Sequence, residues 1–108
     1  MFRPPTPAPR ALLAVAALVL TPGWAAAQDP HLARNLAATC ASCHGTNGQG
    51  RGDIKPLAGV SAGKIITMLA DYKSGAQSAT VMHQIAKGYT EEQIRLIAGY
   101  MAAQKAKP

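Results

Sequence analysis

The chain has few aromatic residues, few charges and only two cysteines. Its 108 residues include one Trp, one Phe and three Tyr, and 15% of the chain is charged. Phe2 and Trp24 lie near the N-terminus, so the remainder of the chain has three tyrosines as its only aromatic side chains. A small domain with so few large side chains has a thin core, and such domains usually add a metal, a disulfide or a cofactor. We therefore expect the domain to be largely unfolded without a bound apolar group.

Long apolar runs are absent as well. The run at residues 11–20 is followed by Thr21, Pro22 and Gly23, and it falls well short of the ~20 residues that a membrane-spanning helix needs. Basic residues precede this run and three alanines at residues 25–27 follow it, which is the pattern of a secretory signal peptide. The sequence predicts cleavage after Ala27, a mature domain over residues 28–108 in the periplasm, and no membrane span after cleavage. The alternative is a retained membrane anchor.

The charge pattern limits the kinds of partner. Without residues 1–27 the chain has nine basic and five acidic side chains, a net charge of +4. These charges are scattered and no aromatic residues are interleaved with them, so nucleic acid is not a predicted partner. Four lysines could steer an acidic protein partner or belong to an ordinary solvated surface, namely Lys55, Lys64, Lys73 and Lys87.

Both cysteines belong to one motif, Cys40-Ala41-Ser42-Cys43-His44, and Cys-x-x-Cys-His is the spacing of covalent haem attachment. Two thiols three residues apart lie on one face of a helical turn, so each can form a thioether with a haem vinyl group. His44 then falls under the same face and can ligate the iron. The motif predicts one covalent haem c. The alternatives are a dithiol redox enzyme, half of a zinc site, or a disulfide that would close a very small loop.

Capping and breaking residues predict an all-α domain of about four helices. Asp29 and Pro30 suit the start of a helix that runs through Cys40 into the motif and ends at Gly45. Residues 46–60 hold too many breakers for a regular element, so we expect a loop there. These breakers are Gly48, Gly50, Gly52, Pro56 and Gly59.

Three further helices follow this loop. Ser61 predicts the N-cap of a helix that ends at Gly75, and a short helix is expected over residues 81–87, before Gly88. Residues 90–93 read Thr-Glu-Glu-Gln, a capping box that opens the last helix. The expected apolar stripes are Ile65, Ile66, Met68, Leu69 and Tyr72 in the first of these helices, and Ile94, Ile97, Ala98 and Met101 in the last.

The second axial ligand of the iron has five candidates in the sequence, which are Met68, Met82, Met101, His31 and His83. Met68 and Met101 lie on apolar helical stripes, where methionine usually fills a core, and His31 lies beside the helix of the haem motif. Met82 follows the flexible residues 75–80, so it can reach the opposite haem face. His83 is a stronger general ligand for iron, but two neighbours in a helical turn point in different directions. The residues alone leave Met82 and His83 both open.

Residues 35–104 resemble a class I monohaem cytochrome c, and most closely the cytochrome subunit of flavocytochrome c sulfide dehydrogenase and single domains of cytochromes of the c4 and c553 types. The resemblance rests on five segments of the sequence, residues 36–45, 56–59, 72–75, 79–82 and 85–89. It implies a small class I cytochrome c fold, with about four helices around one covalent haem. It also implies that Met82 is the sixth iron ligand and that the backbone carbonyl of Pro56 accepts a hydrogen bond from His44.

The function implied by the resemblance is electron transfer in the periplasm rather than catalysis. The chain would be the haem subunit that accepts electrons from an FAD-containing flavoprotein that oxidises sulfide. One alternative is a free shuttle between respiratory complexes. Another, of a different class, is a haem-based sensor or ligand-binding protein, which would require that Met82 is weak or absent as a ligand.

Overall fold

The computed structural model describes residues 1–9 and 29–108, so the predicted cleavage site and the apolar run before it lie outside the described residues. Across the described ranges the regular structure is helical, without a β-strand, and the predicted all-α class is confirmed. No helix within these ranges is both long and apolar enough to cross a membrane. The helices are α1 (Leu32–Ala38), α2 (Ala41–His44), α3 (Ala62–Ser74), α4 (Met82–Lys87) and α5 (Glu91–Ala103), with a 3₁₀ turn at Thr46–Gly48.

The first helix begins two residues later than predicted. Its N-cap is His31. Asp29 lies two residues earlier, and its Oδ1 accepts a hydrogen bond from His31 N at 2.9 Å. The carbonyl of Asp29 also accepts a bond from Leu32 N at 3.0 Å. Asp29 therefore stabilises the turn that leads into α1 rather than capping the helix itself.

The predicted single helix through the haem motif is wrong, because the chain breaks between α1 and α2. The hydroxyl of Thr39 donates to Leu36 O at 2.8 Å, a side-chain bond that competes with helical pairing. Cys40 N donates to Ala37 O, three residues back, so the chain tightens here before α2 begins. The motif thus occupies its own short helix rather than the end of a long one.

The predicted ends of α3 and the predicted start of α5 are confirmed. Ser61 caps α3 by accepting a bond from Lys64 N at 3.3 Å, and Gly75 ends this helix in the left-handed conformation. At α5, Thr90 and Gln93 form the reciprocal capping box, with bonds of 3.1 and 2.9 Å. The predicted short helix begins one residue late, at the start of α4.

The core lies where α5 packs against α1 and α3. Each apolar residue predicted on the stripe of α5 is buried, and Met101 is 1% exposed. The central cluster contains two alanines and three larger side chains, which are Ala37, Ile65, Ile97, Ala98 and Met101. This is the thin core that the composition predicts.

Gly48 holds the loop of residues 46–60 against this core. Its carbonyl accepts bonds from Leu57 N at 2.7 Å and Ala58 N at 2.9 Å. Gly48 is buried at φ +70, and a Cβ at this position would lie 2.7 Å from Met101 Sδ. A side chain at this position would be strained and crowded, so Gly48 lets the loop return towards α2.

Candidate functional site

An apolar cavity of about 520 Å³ opens between α2, α3 and α4. Pockets that hold cofactors and other small molecules typically have volumes of roughly 300–1,000 Å³ and mostly apolar walls. The lining residues are Thr39, Cys40, Ser42, Cys43, His44, Ile54, Leu57, Ile65, Met68, Leu69, Tyr72, Val81, Met82, Ile85, Tyr89 and Ile97. The cavity is large enough for a cofactor, and its walls suit an apolar one.

The complete haem motif lies in one wall of the cavity. Cys40, Cys43 and His44 all line it, and both cysteines are free thiols rather than a disulfide. Burial raises the pKa of the Cys40 thiol, and the neighbouring Cys43 adds to this shift. The Cys40 sulfur is therefore held in its less nucleophilic, protonated form when the chain is folded.

His44 is oriented by the loop that follows the motif. Its Nδ1 lies 3.2 Å from the carbonyl oxygen of Lys55. Because a carbonyl can only accept, Nδ1 carries the proton in this contact, and the lone pair of Nε2 is left for a metal. The imidazole is thereby prepared to act as an iron ligand.

The sequence prediction placed this acceptor one residue too far along, at Pro56. The structure gives the contact to the carbonyl of Lys55, in the peptide bond that precedes the proline ring. Because Leu57 N donates to Gly48 O, the chain after Pro56 turns back towards Gly48. The carbonyl of Lys55 is left beside His44. Pro56 acts on this contact through the conformation it imposes on Lys55.

The two candidate ligands that the sequence left open are separated by the fold. Met82, the first residue of α4, lines the cavity. His83 does not line it, and its Nδ1 is buried without a hydrogen-bond partner in the described part of the chain. Of the two neighbours, Met82 is therefore the one placed in the cavity wall.

Met68 is placed differently from the prediction. It was expected to fill the protein core, but it lines the cavity and is 38% exposed. Met101 does lie in the core, and His31 is exposed and outside the cavity lining. Helical periodicity identified the apolar face of α3, but it cannot tell a face that meets other side chains from one that meets a cofactor. The cavity wall therefore contains a second methionine, Met68, in addition to Met82.

Three side-chain contacts at the cavity edge were not predicted. Tyr89 OH lies 2.6 Å from Thr39 Oγ1, and Lys73 Nζ donates to Tyr89 O at 2.7 Å. Arg51 Nη1 donates to Ser42 O at 2.9 Å, which ties the loop to the motif helix. Each contact joins residues distant in sequence or in different elements, so no local signal could have revealed it.

The residues present fit a haem. Two thiols and an imidazole lie together in a wall that is otherwise apolar, and a thioether lies on α4. Several large apolar side chains of the lining are partly exposed, at 42% for Ile54, 49% for Val81 and 38% for Ile85, and a flat apolar group would cover this surface. By contrast, the described residues contain no group of three or more His, Cys, Asp or Glu side chains that could hold a metal ion directly.

Comparison with known proteins identifies cytochromes as relatives of this chain. Residues 32–105 match the family model for cytochrome c. The chain is 48% identical over 65 residues to the cytochrome subunit of sulfide dehydrogenase from Chlorobaculum tepidum, a match that covers 60% of this chain and 59% of that protein. It is 38% identical over 71 residues to cytochrome c-554(548) from Halomonas halodenitrificans, covering 62% of this chain and 86% of that protein.

A solved structure shares the fold. The structure of cytochrome c4 from Acidithiobacillus ferrooxidans superposes with a TM-score of 0.60 at 33% identity, covering 67% of this chain and 49% of that chain. The match therefore spans about half of the cytochrome c4 chain, and about three-fifths of the sulfide dehydrogenase subunit.

Proposed function

Because this chain belongs to the cytochrome c family, whose members carry electrons on covalent haem c, we propose that Cys40 and Cys43 hold the haem as thioethers and that His44 and Met82 are its axial ligands. One observation carries this proposal. The two thiols and the imidazole line the same apolar cavity as the methionine of α4, and His83 lies outside that lining.

The bound haem supplies one-electron redox chemistry, and the chain supplies its environment. The Lys55 carbonyl holds the His44 ring in one tautomer and raises its basicity as a ligand. The thioether of Met82 favours ferrous over ferric iron, and the apolar lining excludes water. With His44 and Met82 both holding the iron, the protein would leave no position for a substrate, and the chemistry that the haem would supply is outer-sphere electron transfer.

The proposed location is the periplasm, after cleavage of residues 1–27. In this role the chain is the haem subunit of a sulfide-oxidising complex and accepts electrons from an FAD-containing flavoprotein. The 48% identity to a sulfide dehydrogenase cytochrome subunit supports this partner. The excess of basic over acidic side chains in residues 28–108 is compatible with an acidic docking face on the flavoprotein.

A free electron shuttle is the second candidate. It is favoured by the match to cytochrome c-554(548), since this chain accounts for 86% of the length of that protein.

The test begins with the exported protein purified from a host that attaches haem. We expect haem that stays bound under denaturing conditions, and a weak near-infrared band of iron-to-thioether bonding in the oxidised form. Covalent haem without this band would overturn the Met82 assignment. Separately, sulfide added with the FAD-containing flavoprotein should reduce the haem much faster than sulfide alone, whereas equal rates would favour the free shuttle.

A further inference from the structure

A line of hydrogen bonds crosses the edge of the cavity and includes none of the four haem-binding side chains. Tyr89 OH and Thr39 Oγ1 lie 2.6 Å apart, and the Thr39 hydroxyl donates to Leu36 O at 2.8 Å. A threonine hydroxyl has a single proton, so Tyr89 must donate to Thr39. The direction of both bonds is thereby fixed, and the line ends on the backbone of α1.

Tyr89 is also bonded through its backbone. Lys73 Nζ, from the last turn of α3, donates to the Tyr89 carbonyl at 2.7 Å in a partly buried contact. Tyr89 N in turn donates to Ala86 O, which joins it directly to the end of α4. Tyr89 therefore connects three parts of the cavity wall, namely α3, α4 and the turn that contains Thr39 and Cys40.

α4 packs against α3 but makes few contacts with the helix of the haem motif. It has six residues, too few to be stable as an isolated helix, so tertiary contacts must fix its position. Its one buried residue is Ala86, whose side chain offers little apolar area, and Ile85 is 38% exposed. The bonds of Tyr89 thus form a substantial part of what sets α4 against the haem motif.

We propose that Tyr89 is a positioning residue that holds α4, and with it Met82, at the distance from the Cys40 turn that keeps the thioether on the iron. This inference rests on the proposed role of Met82 as axial ligand. Without the Tyr89 hydroxyl, α4 can move away from the motif more easily, and an external ligand competes better for the iron.

The test is imidazole binding to the oxidised holoprotein, measured optically for the parent and for Tyr89→Phe. We expect about a fivefold tighter apparent affinity in the variant, which is the effect of one lost hydrogen bond on the competition. The matched control is Tyr100→Phe. Tyr100 OH also makes a 2.6 Å bond, to Asn47 Oδ1, but Tyr100 does not line the cavity. This control should lower the thermal midpoint and leave imidazole affinity at the parent value.

Two further variants separate positioning from simple loss of packing. Thr39→Val should reproduce the affinity of Tyr89→Phe, and combining the two should add nothing, because both remove the same bond. Thr39→Ser keeps the hydroxyl and should behave as the parent.

Two results would overturn the inference. One is an unchanged imidazole affinity in Tyr89→Phe. The other is an imidazole affinity that rises as much in Tyr100→Phe as in Tyr89→Phe. If the parent has its thioether band and Tyr89→Phe binds imidazole as the parent does, only the role of Tyr89 fails. If the parent lacks the band, the assignment of Met82 fails, and the inference about Tyr89 fails with it.

Discussion

The Nδ1 atom of His44 lies 3.2 Å from the carbonyl oxygen of Lys55, a residue of the loop that returns to the haem motif. Because the acceptor is a backbone atom, its strength does not depend on the side chain at position 55. It does depend on the loop conformation, which Pro56 restricts from the following position. The orientation of the imidazole therefore depends on a proline whose own carbonyl is not the acceptor.

This relationship predicts effects of different size for two neighbouring substitutions. Pro56→Ala should raise the reduction potential by on the order of 30 mV, about a threefold change in a one-electron equilibrium, because a weaker bond to His44 makes the imidazole less able to stabilise ferric iron. Lys55→Ala keeps the carbonyl and should change the potential much less. Potentiometric titration of both variants checks this. A marked fall in the potential of Lys55→Ala with no change in Pro56→Ala would show that the charge of Lys55, rather than its backbone carbonyl, sets the potential.

The two cavity methionines provide a direct test of the axial ligand. Met82→Ala should keep covalent haem, lose the near-infrared thioether band, lower the potential and allow carbon monoxide to bind the reduced protein at neutral pH. Met68→Ala is the matched control, since it removes the other methionine of the lining and should keep the band. A band lost only in Met68→Ala would reverse the assignment. If Met82→Ala gained a second nitrogen ligand, His83 would have replaced the thioether.

Local sequence signals predicted much of the fold because the physics of these features is local. Ser61, Gly75 and the capping box at residues 90–93 act within one helical turn, so their effects could be predicted without knowledge of the tertiary structure. The haem motif likewise brings its thiols and imidazole together within five residues.

Three of the incorrect predictions depended on groups outside the local sequence, whereas the late start of α1 follows from local bonds of Asp29. The break before α2 occurs where Thr39 meets Tyr89, fifty residues further along the chain. The acceptor for His44 depends on how the loop closes on Gly48. Met68 was predicted to fill the core, because an apolar stripe has the same period whether it faces side chains or a cofactor.

The size of the cavity predicts that the fold depends on its cofactor. Without haem the apolar walls of this cavity would face water, at about 25 cal/mol for each Å² of apolar surface, and the domain has only a thin core to offset that cost. The double variant Cys40→Ala/Cys43→Ala, which cannot attach haem as thioethers, should lack cooperative thermal unfolding when followed by circular dichroism. The haem-loaded parent is the reference. A sharp melting transition in the haem-free variant would show that the core is sufficient without the cofactor.

Two glycines in contrasting environments test how the loop supports the site. Gly48→Ala should destabilise the holoprotein by about 2 kcal/mol or more, since alanine is strained at φ +70 and its Cβ would lie 2.7 Å from Met101 Sδ. Gly63→Ala places the same methyl group within α3, where a Cβ meets nothing within 4 Å, and should stabilise by about 0.5–1 kcal/mol through helix propensity. Denaturant unfolding of both holoproteins measures the difference.

The variants Gly48→Ala and Gly63→Ala also test whether the closure of the loop affects the reduction potential. The Gly48 carbonyl receives the bonds that turn the chain after Pro56, and the Lys55 carbonyl faces His44 from the adjoining peptide. A shift of the loop in Gly48→Ala should therefore also raise the reduction potential, in the direction expected for Pro56→Ala, whereas Gly63→Ala should leave it unchanged. If Gly48→Ala lost stability at an unaltered potential, the hydrogen bond to His44 would have to be maintained by contacts other than the closure of the loop on Gly48.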